Sequence, residues 1–168
     1  CMMQLTLKQS GLRWLWLAPL VIVLDQLVKL AILDGLPYGG PGITVTPFFN
    51  IVHVYNKGAA YGFLADQPGW QRWFFSLFAI VVSAAMVVAL RRQAASLWWS
   101  NLAFVLVIGG AIGNLIDRLA YGHVVDFLLF YWQGRNFPAF NIADCAITVG
   151  AAMIVLDGLR KKPHPVPN

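Results

Sequence analysis

Four stretches of the chain stay apolar long enough to cross a bilayer: 14–33, 73–90, 97–116 and 137–156. Each is close to 20 residues, and at a rise of 1.5 Å per residue about 20 residues span the ~30 Å hydrocarbon layer. Only a helix satisfies its own backbone at that length in lipid, so each stretch predicts a transmembrane helix. The first stretch is too long for a simple cleavable signal and carries two ionisable groups, Asp25 and Lys29. Between the first and second stretches, 34–72 is mixed in character. Gly39-Gly40-Pro41-Gly42 marks a turn, and 43–46 and 51–55 are β-branched and aromatic runs that predict two short strands. A second mixed segment, 117–136, holds Val124-Val125-Asp126-Phe127, which suits a short strand or helix. The expected fold class is an all-α polytopic membrane protein, a single domain over 1–168. Its four helices are joined by these mixed segments, the first with two short strands.

Composition strengthens this picture. Only 11% of residues are charged, against about a quarter in a soluble domain. The net charge of +5 comes without a basic groove of interleaved aromatics. It therefore points to lipid headgroups and topology, not to nucleic acid. Lys8, Arg13, Arg91, Arg92, Arg160, Lys161 and Lys162 fall on one side of a four-span chain, and Lys57, Arg72, Arg118 and Arg135 on the other. The excess puts both termini in the cytoplasm and makes 34–72 and 117–136 extracytoplasmic. Cys1, ahead of Met2, is given no role. A disulfide between it and Cys145 is not expected, and no Cys/His pattern suggests a metal. The Pro-rich tail 163–168 reads as loose, and His53 and His164 as ordinary loop residues.

Ionisable groups inside a span cost at least ~2.5 kcal/mol by insertion scales, so each needs a partner or a purpose. Asp25 and Lys29 are one helical turn apart and can pair, either as a supporting element or as a pair that merely orients the helix. Asp144 falls in the fourth stretch, eight residues from its outer end, with Asn141 on the same face and small Ala143 beside it. Asp126 lies among apolar neighbours in the second outward segment and can meet Asp144 near the outer interface. Two close carboxyls share one proton, because like charge and desolvation raise one pKa. The ionised member can then activate water while the protonated one binds the scissile carbonyl, the aspartic-protease scheme. Asn114, Asp117 and Arg118 cluster where the third span ends. They fit either a polar shell for that pair or a plain helix end with a local ion pair. Asn56 opens a turn into Gly58, or presents its amide to a peptide. Gly109-Gly110-Ala111-Ile112-Gly113 reads as a close-packing face. A Ser76/Lys29 dyad stays open, without a nucleophile motif around it. His123 and Asp126 are at most half a metal site.

Four segments together resemble the lipoprotein signal peptidases, or signal peptidase II. Asp25-Gln26-Leu27-Val28-Lys29 is similar to that family's D-Q-x-x-K, and Asn56-Lys57-Gly58-Ala59-Ala60 to its N-x-G-A-A. Gly109 to Arg118, running on to Gly122, Val125, Asp126 and Phe127, is similar to its third block. Phe137-Pro138-Ala139-Phe140-Asn141-Ile142-Ala143-Asp144 is similar to its last. The order and the placement on four spans make the match specific. Tyr61 replaces a commoner Phe, and Cys145 a frequent Ser. The resemblance implies that Asp126 and Asp144 are catalytic. Asn56, Gly58, Asn114, Asp117, Arg118, Asn141 and Ala143 would bind substrate or support the site, with Asp25 and Lys29 behind them. It further implies that 34–72 forms a small extracytoplasmic β-sheet with a lid-like segment over the site, in an endopeptidase of the bacterial cytoplasmic (inner) membrane without cofactor or metal. Such an enzyme cleaves diacylglyceryl-modified prolipoproteins just before the lipidated cysteine, as a monomer among membrane lipids. A small four-helix transporter is the alternative, although its acid would normally lie mid-span, and a structural adaptor leaves Asp144 without a purpose.

Overall fold

The structure, a computed structural model, describes residues 6–58 and 68–160. Four long helices carry it: α1 Leu17–Gly35, α2 Gln71–Arg92, α3 Trp98–Tyr121 and α4 Ile142–Arg160. All four are long and apolar enough to cross a membrane. A short 3-10 turn, Gly11–Trp14, leads into α1. It is pinned by the Trp14 indole, whose Nε1 donates to the Ala95 carbonyl at 3.0 Å. The lid-like element expected beyond Gly58 falls on 59–67, outside the described residues. So do Cys1, Lys161, Lys162, His164 and the tail 163–168.

Helix α3 is the centre of the bundle. Two-thirds (67%) of its most apolar window is buried, against 22% for the first and second spans and 28% for the fourth. It packs on α1, α2 and α4 alike. The other helices turn Leu20, Val23, Leu24, Leu27 and Leu30 of α1, Leu77 and Ile80 of α2, and Val149 and Val155 of α4 outward, where lipid is the natural neighbour. Close approach to α3 depends on missing side chains. A Cβ at Gly110 would collide with the Ala143 carbonyl of α4, and one at Gly113 would stand 2.9 Å from Asp25 Oδ2 of α1. The glycine-rich face is thus the small-residue packing surface expected of it.

Two boundaries differ from the apolar pattern. The third helix runs five residues past 116, to Tyr121, so Asn114, Asp117 and Arg118 are all helical. Asp117 is paired with Lys29 and Arg118 hydrogen-bonds the Gly58 carbonyl inside the protein, so hydropathy alone misplaces the end. The fourth helix starts at Ile142 and not at 137. A residue before proline, here Phe137, is pushed out of the helical region, and Phe140 makes an isolated bridge to Leu128. Asp144 therefore sits in the first turn of α4 and not eight residues into it.

The two mixed segments join in one antiparallel sheet of order β1-β2-β3-β4: β1 Ile43–Thr46, β2 Phe49–Asn56, β3 Val124–Trp132 and β4 Arg135–Asn136. The α1–α2 and α3–α4 connections therefore lie at the same end of the bundle. β2 pairs with β3 so that Val54 faces Asp126 and Asn56 faces Val124, with a register shift between Ile51 and Val54. An irregularity of this kind bends a strand and re-aims its side chains. Val125 and Phe127 of β3 pack with Ile32 of α1 in a small core that docks the sheet on the bundle.

Candidate active site

Asp144 is fixed by the way α4 begins. Asn141 caps the helix: its Oδ1 accepts the Asp144 N–H at 2.9 Å, and Asp144 Oδ2 accepts the Asn141 N–H at 3.3 Å. This reciprocal arrangement is a capping box built from Asn and Asp. It holds a carboxylate where the helix end favours negative charge. Asn114 of α3 donates from Nδ2 to Asp144 Oδ1 at 2.8 Å.

Asp126 arrives on β3, 1% exposed. Asn141 Nδ2 donates to its Oδ1 at 2.8 Å and to the Val125 carbonyl at 3.2 Å. One residue thus links the two carboxyls, through its side-chain amide to Asp126 and its backbone N–H to Asp144. Asn56 of β2 adds a side-chain hydrogen bond to Asp126. Burial pushes the Asp126 carboxyl up to about 8, and Asp144 pushes it the same way. The Asn56 and Asn141 hydrogen bonds and the Lys29 charge oppose that rise without cancelling it.

Behind the two carboxyls lies a buried ionic cluster. Lys29 is 1% exposed and so does not snorkel. Its Nζ meets Asp25 Oδ2 at 2.7 Å and Asp117 Oδ2 at 2.9 Å, and donates to Asn114 Oδ1 at 3.1 Å. Asp117 is paired with Lys29, so a local ion pair with Arg118 is not what ends α3. Asp25 Oδ1 accepts the Ala143 N–H at 2.9 Å, and Asp117 Oδ2 accepts the Val125 N–H at 3.0 Å. With its ammonium engaged by two carboxylates and an amide, Lys29 has no serine to activate. Ser76 Oγ is buried without a hydrogen-bond partner.

Arg118 turns away from this cluster. Its Nη2 donates to the Gly58 carbonyl at 2.8 Å, and its guanidinium lies 5.4 Å from the centre of the Phe75 ring. Asn56 Oδ1 accepts the Gly58 N–H at 2.8 Å, a local turn that shapes the same stretch. Arg118, Asn114 and Asp144 form the polar end of a slot of about 220 Å³ between α2, α3 and α4. The rest of its wall is apolar: Phe75, Phe78, Ala79 and Val82 of α2, Val107 and Ala111 of α3, and Ile147 of α4.

The structure thus brings together Asp25, Lys29, Asn56, Gly58, Asn114, Asp117, Arg118, Asn141 and Ala143 with Asp126 and Asp144, drawn from three helices, the sheet and the adjoining loops. Gln26 is an addition. Its Nε2 donates to Asp117 Oδ1 at 2.9 Å and to the Gly113 carbonyl at 3.2 Å, and its place beside Asp25 was the available signal. His53 is buried on β2 with Nδ1 2.8 Å from the Leu36 carbonyl, so it is not a loop residue. His123 stacks on Tyr55 at 3.8 Å. Among the described residues, no group of three or more His, Cys, Asp or Glu is arranged to hold a metal.

Bundle, sheet and buried carboxyl cluster define a multi-pass membrane protein with a polar site at one end of its helices. Comparisons with known proteins sharpen this. A family model described as Signal peptidase (SPase) II matches residues 17–160. The chain is 59% identical over 160 residues to the lipoprotein signal peptidase of Aeromonas hydrophila, covering 95% of this chain and 96% of that one. It is 61% identical over 158 residues to that of Tolumonas auensis, covering 94% and 96%. A solved structure described as a bacterial membrane enzyme superposes with a TM-score of 0.80 at 33% identity, covering 98% of this chain and 99% of that one. The chain belongs to the signal peptidase II family, and is a peptidase by that membership.

Proposed function

We propose that the chain is an intramembrane aspartic endopeptidase in which Asp126 and Asp144 share one catalytic proton. The observation that carries this reading is the pair of buried carboxyls joined through Asn141, whose side chain donates to Asp126 and whose backbone N–H donates to Asp144, with Asp144 at the polar end of an apolar slot. Asp126, with its carboxyl pushed up to about 8, holds the proton at neutral pH and donates it in a hydrogen bond to the scissile carbonyl. Asp144 lies at a helix N-terminus and accepts hydrogen bonds from Asn114 and the Asn141 N–H. It is the ionised member and takes a proton from the attacking water. The tetrahedral intermediate then collapses as the proton gained by Asp144 passes to the leaving amine. No metal or covalent intermediate is needed.

The substrate in this reading is a diacylglyceryl-modified prolipoprotein, cut just before its lipidated cysteine. The slot supplies an apolar surface for the substrate beside the carboxyls. Arg118 and Asn56 shape the neighbouring Gly58 stretch, where an extended peptide would lie. Positive charge at the end away from the sheet (Lys8, Arg13, Arg91, Arg92 and Arg160) puts that end in the cytoplasm and the carboxyls near the outer leaflet of the inner membrane. One chain supplies both carboxyls, so a monomer suffices.

The test is cleavage of a lipidated precursor by purified protein. Asp126→Asn and Asp144→Asn should each lower kcat by several orders of magnitude while the protein still inserts and melts cooperatively. Normal cleavage by either variant would overturn the proposal.

A further inference from the structure

Each proposed catalytic carboxyl is preceded in sequence by a residue whose backbone N–H is held by a second, noncatalytic carboxylate. Ala143, before Asp144, donates to Asp25. Val125, before Asp126, donates to Asp117. Those two carboxylates are clamped by one ammonium, Lys29, at 2.7 and 2.9 Å. The path from Ala143 N to Asp25, Lys29, Asp117 and Val125 N therefore fixes the start of α4 against the start of β3.

The ammonium also sets the polarity of the site. A lysine only donates hydrogen bonds. Facing Lys29, Asn114 must present its Oδ1, which receives Nζ at 3.1 Å and Asn141 Nδ2 at 3.1 Å. Its Nδ2 is thereby aimed at Asp144, where it donates at 2.8 Å. Turned the other way, Asn114 would oppose its carbonyl oxygen to a carboxylate and its N–H groups to an ammonium. Lys29 itself is buried and is not part of the slot wall, so it has no route to substrate.

We propose that Lys29 is a positioning residue that sets the spacing of the Asp126–Asp144 pair through Asp25 and Asp117, and the donor orientation of Asn114 toward Asp144. This rests on the reading of the two aspartates as the catalytic pair. A displacement of the pair by about 1 Å costs on the order of 100-fold in rate. Substrate binding in the slot, which Lys29 does not touch, is left intact.

The experiment is a double-mutant cycle on cleavage of a lipidated precursor, with kcat and KM measured separately. Lys29→Met should lower kcat about 100-fold and leave KM within about twofold. Because Lys29 acts partly through Asn114, the same change in an Asn114→Ala background should cost much less than it does alone. If Lys29→Met fails to fold with two carboxylates left facing each other, Lys29→Gln, which keeps one donor, carries the test in its place. Strictly additive effects, or a rise in KM with kcat kept, would overturn the proposal. Asp126→Asn and Asp144→Asn run alongside: if both are inactive while the Lys29 variant keeps wild-type kcat, only the Lys29 proposal fails. If either aspartate variant cleaves normally, the dyad reading fails instead.

Discussion

At the scale of single residues, the site depends on one carboxyl that is held neutral. Asp126 has an ordinary value of 3.8 and is raised to about 8 in the fold, first by burial and then by Asp144. The folded protein therefore binds this proton more tightly than the unfolded chain. Stability from this group is complete below about pH 4 and is lost as pH rises toward 8. Asp126→Asn removes the effect, so its melting temperature in detergent should exceed that of the parent by a margin that widens from pH 5 to 8 and then levels. Cleavage by the parent should fall as pH rises through about 8, when the proton donor is lost. A flat rate from pH 6 to 9.5 would contradict the assignment. Much of this was legible beforehand: Asp144 stood out as a charge in an apolar stretch, and Asp25 and Lys29 as an i, i+4 pair. The partner of Lys29 was not. Asp117 lies 88 positions away and meets it only because α1 crosses α3 at Gly113, a geometry that local periodicity does not encode.

At the scale of elements, α4 begins where it does because three things coincide. Pro138 blocks an earlier start, Asn141 and Asp144 cap each other, and Asp25 takes the Ala143 N–H. Hydropathy sees only that 137–156 is apolar, so it set the start too early and Asp144 too deep. The sheet shows the same limit from the other side. The strands near 43–46 and 51–55 follow from β-branched runs, but the pairing of β2 with β3 joins segments some 75 residues apart, and alternation alone cannot say which strands meet. The packing face of α3 was readable, since runs of glycine at helix spacing have few other uses in lipid. It also gives a firm expectation. Gly110→Ala pushes a methyl group into the Ala143 carbonyl, and overpacking of this kind costs about 1–3 kcal/mol. The variant should melt several degrees lower in detergent and lose activity, because the collision lies one residue from Asp144.

For the whole molecule, the division of labour among the helices matters. α1 supplies buried charge from behind, α3 carries the polar side chains that meet α1, α4 and β3, and α4 delivers one carboxylate. α2 contributes apolar wall. It faces α4 across the slot, and α3 closes the wall between them, so a bulkier residue on that wall should affect substrate and not chemistry. Ala111→Leu narrows the slot beside Ala79. It should raise KM about tenfold, equivalent to ~1.4 kcal/mol of lost binding, with kcat nearly kept. A matching fall in kcat, with KM unmoved, would mean that the slot does not hold substrate.

The hydrogen bond from Ala143 to Asp25 joins positions 118 residues apart, the first helix to the last. During synthesis Asp25 and Lys29 enter the bilayer early and can neutralise each other. Asp117 comes next, and the N-terminal turn of α4 last. Asp117 and Asn56 can hold the Asp126 strand before then, but the contacts from Asn141 and to Asp144 wait for the final helix to arrive. On the proposed mechanism, a nascent chain stalled before that point carries Asp126 without Asn141 or Asp144, half of the catalytic pair, and should not cleave. Completion of the fold would then itself keep a half-made copy silent.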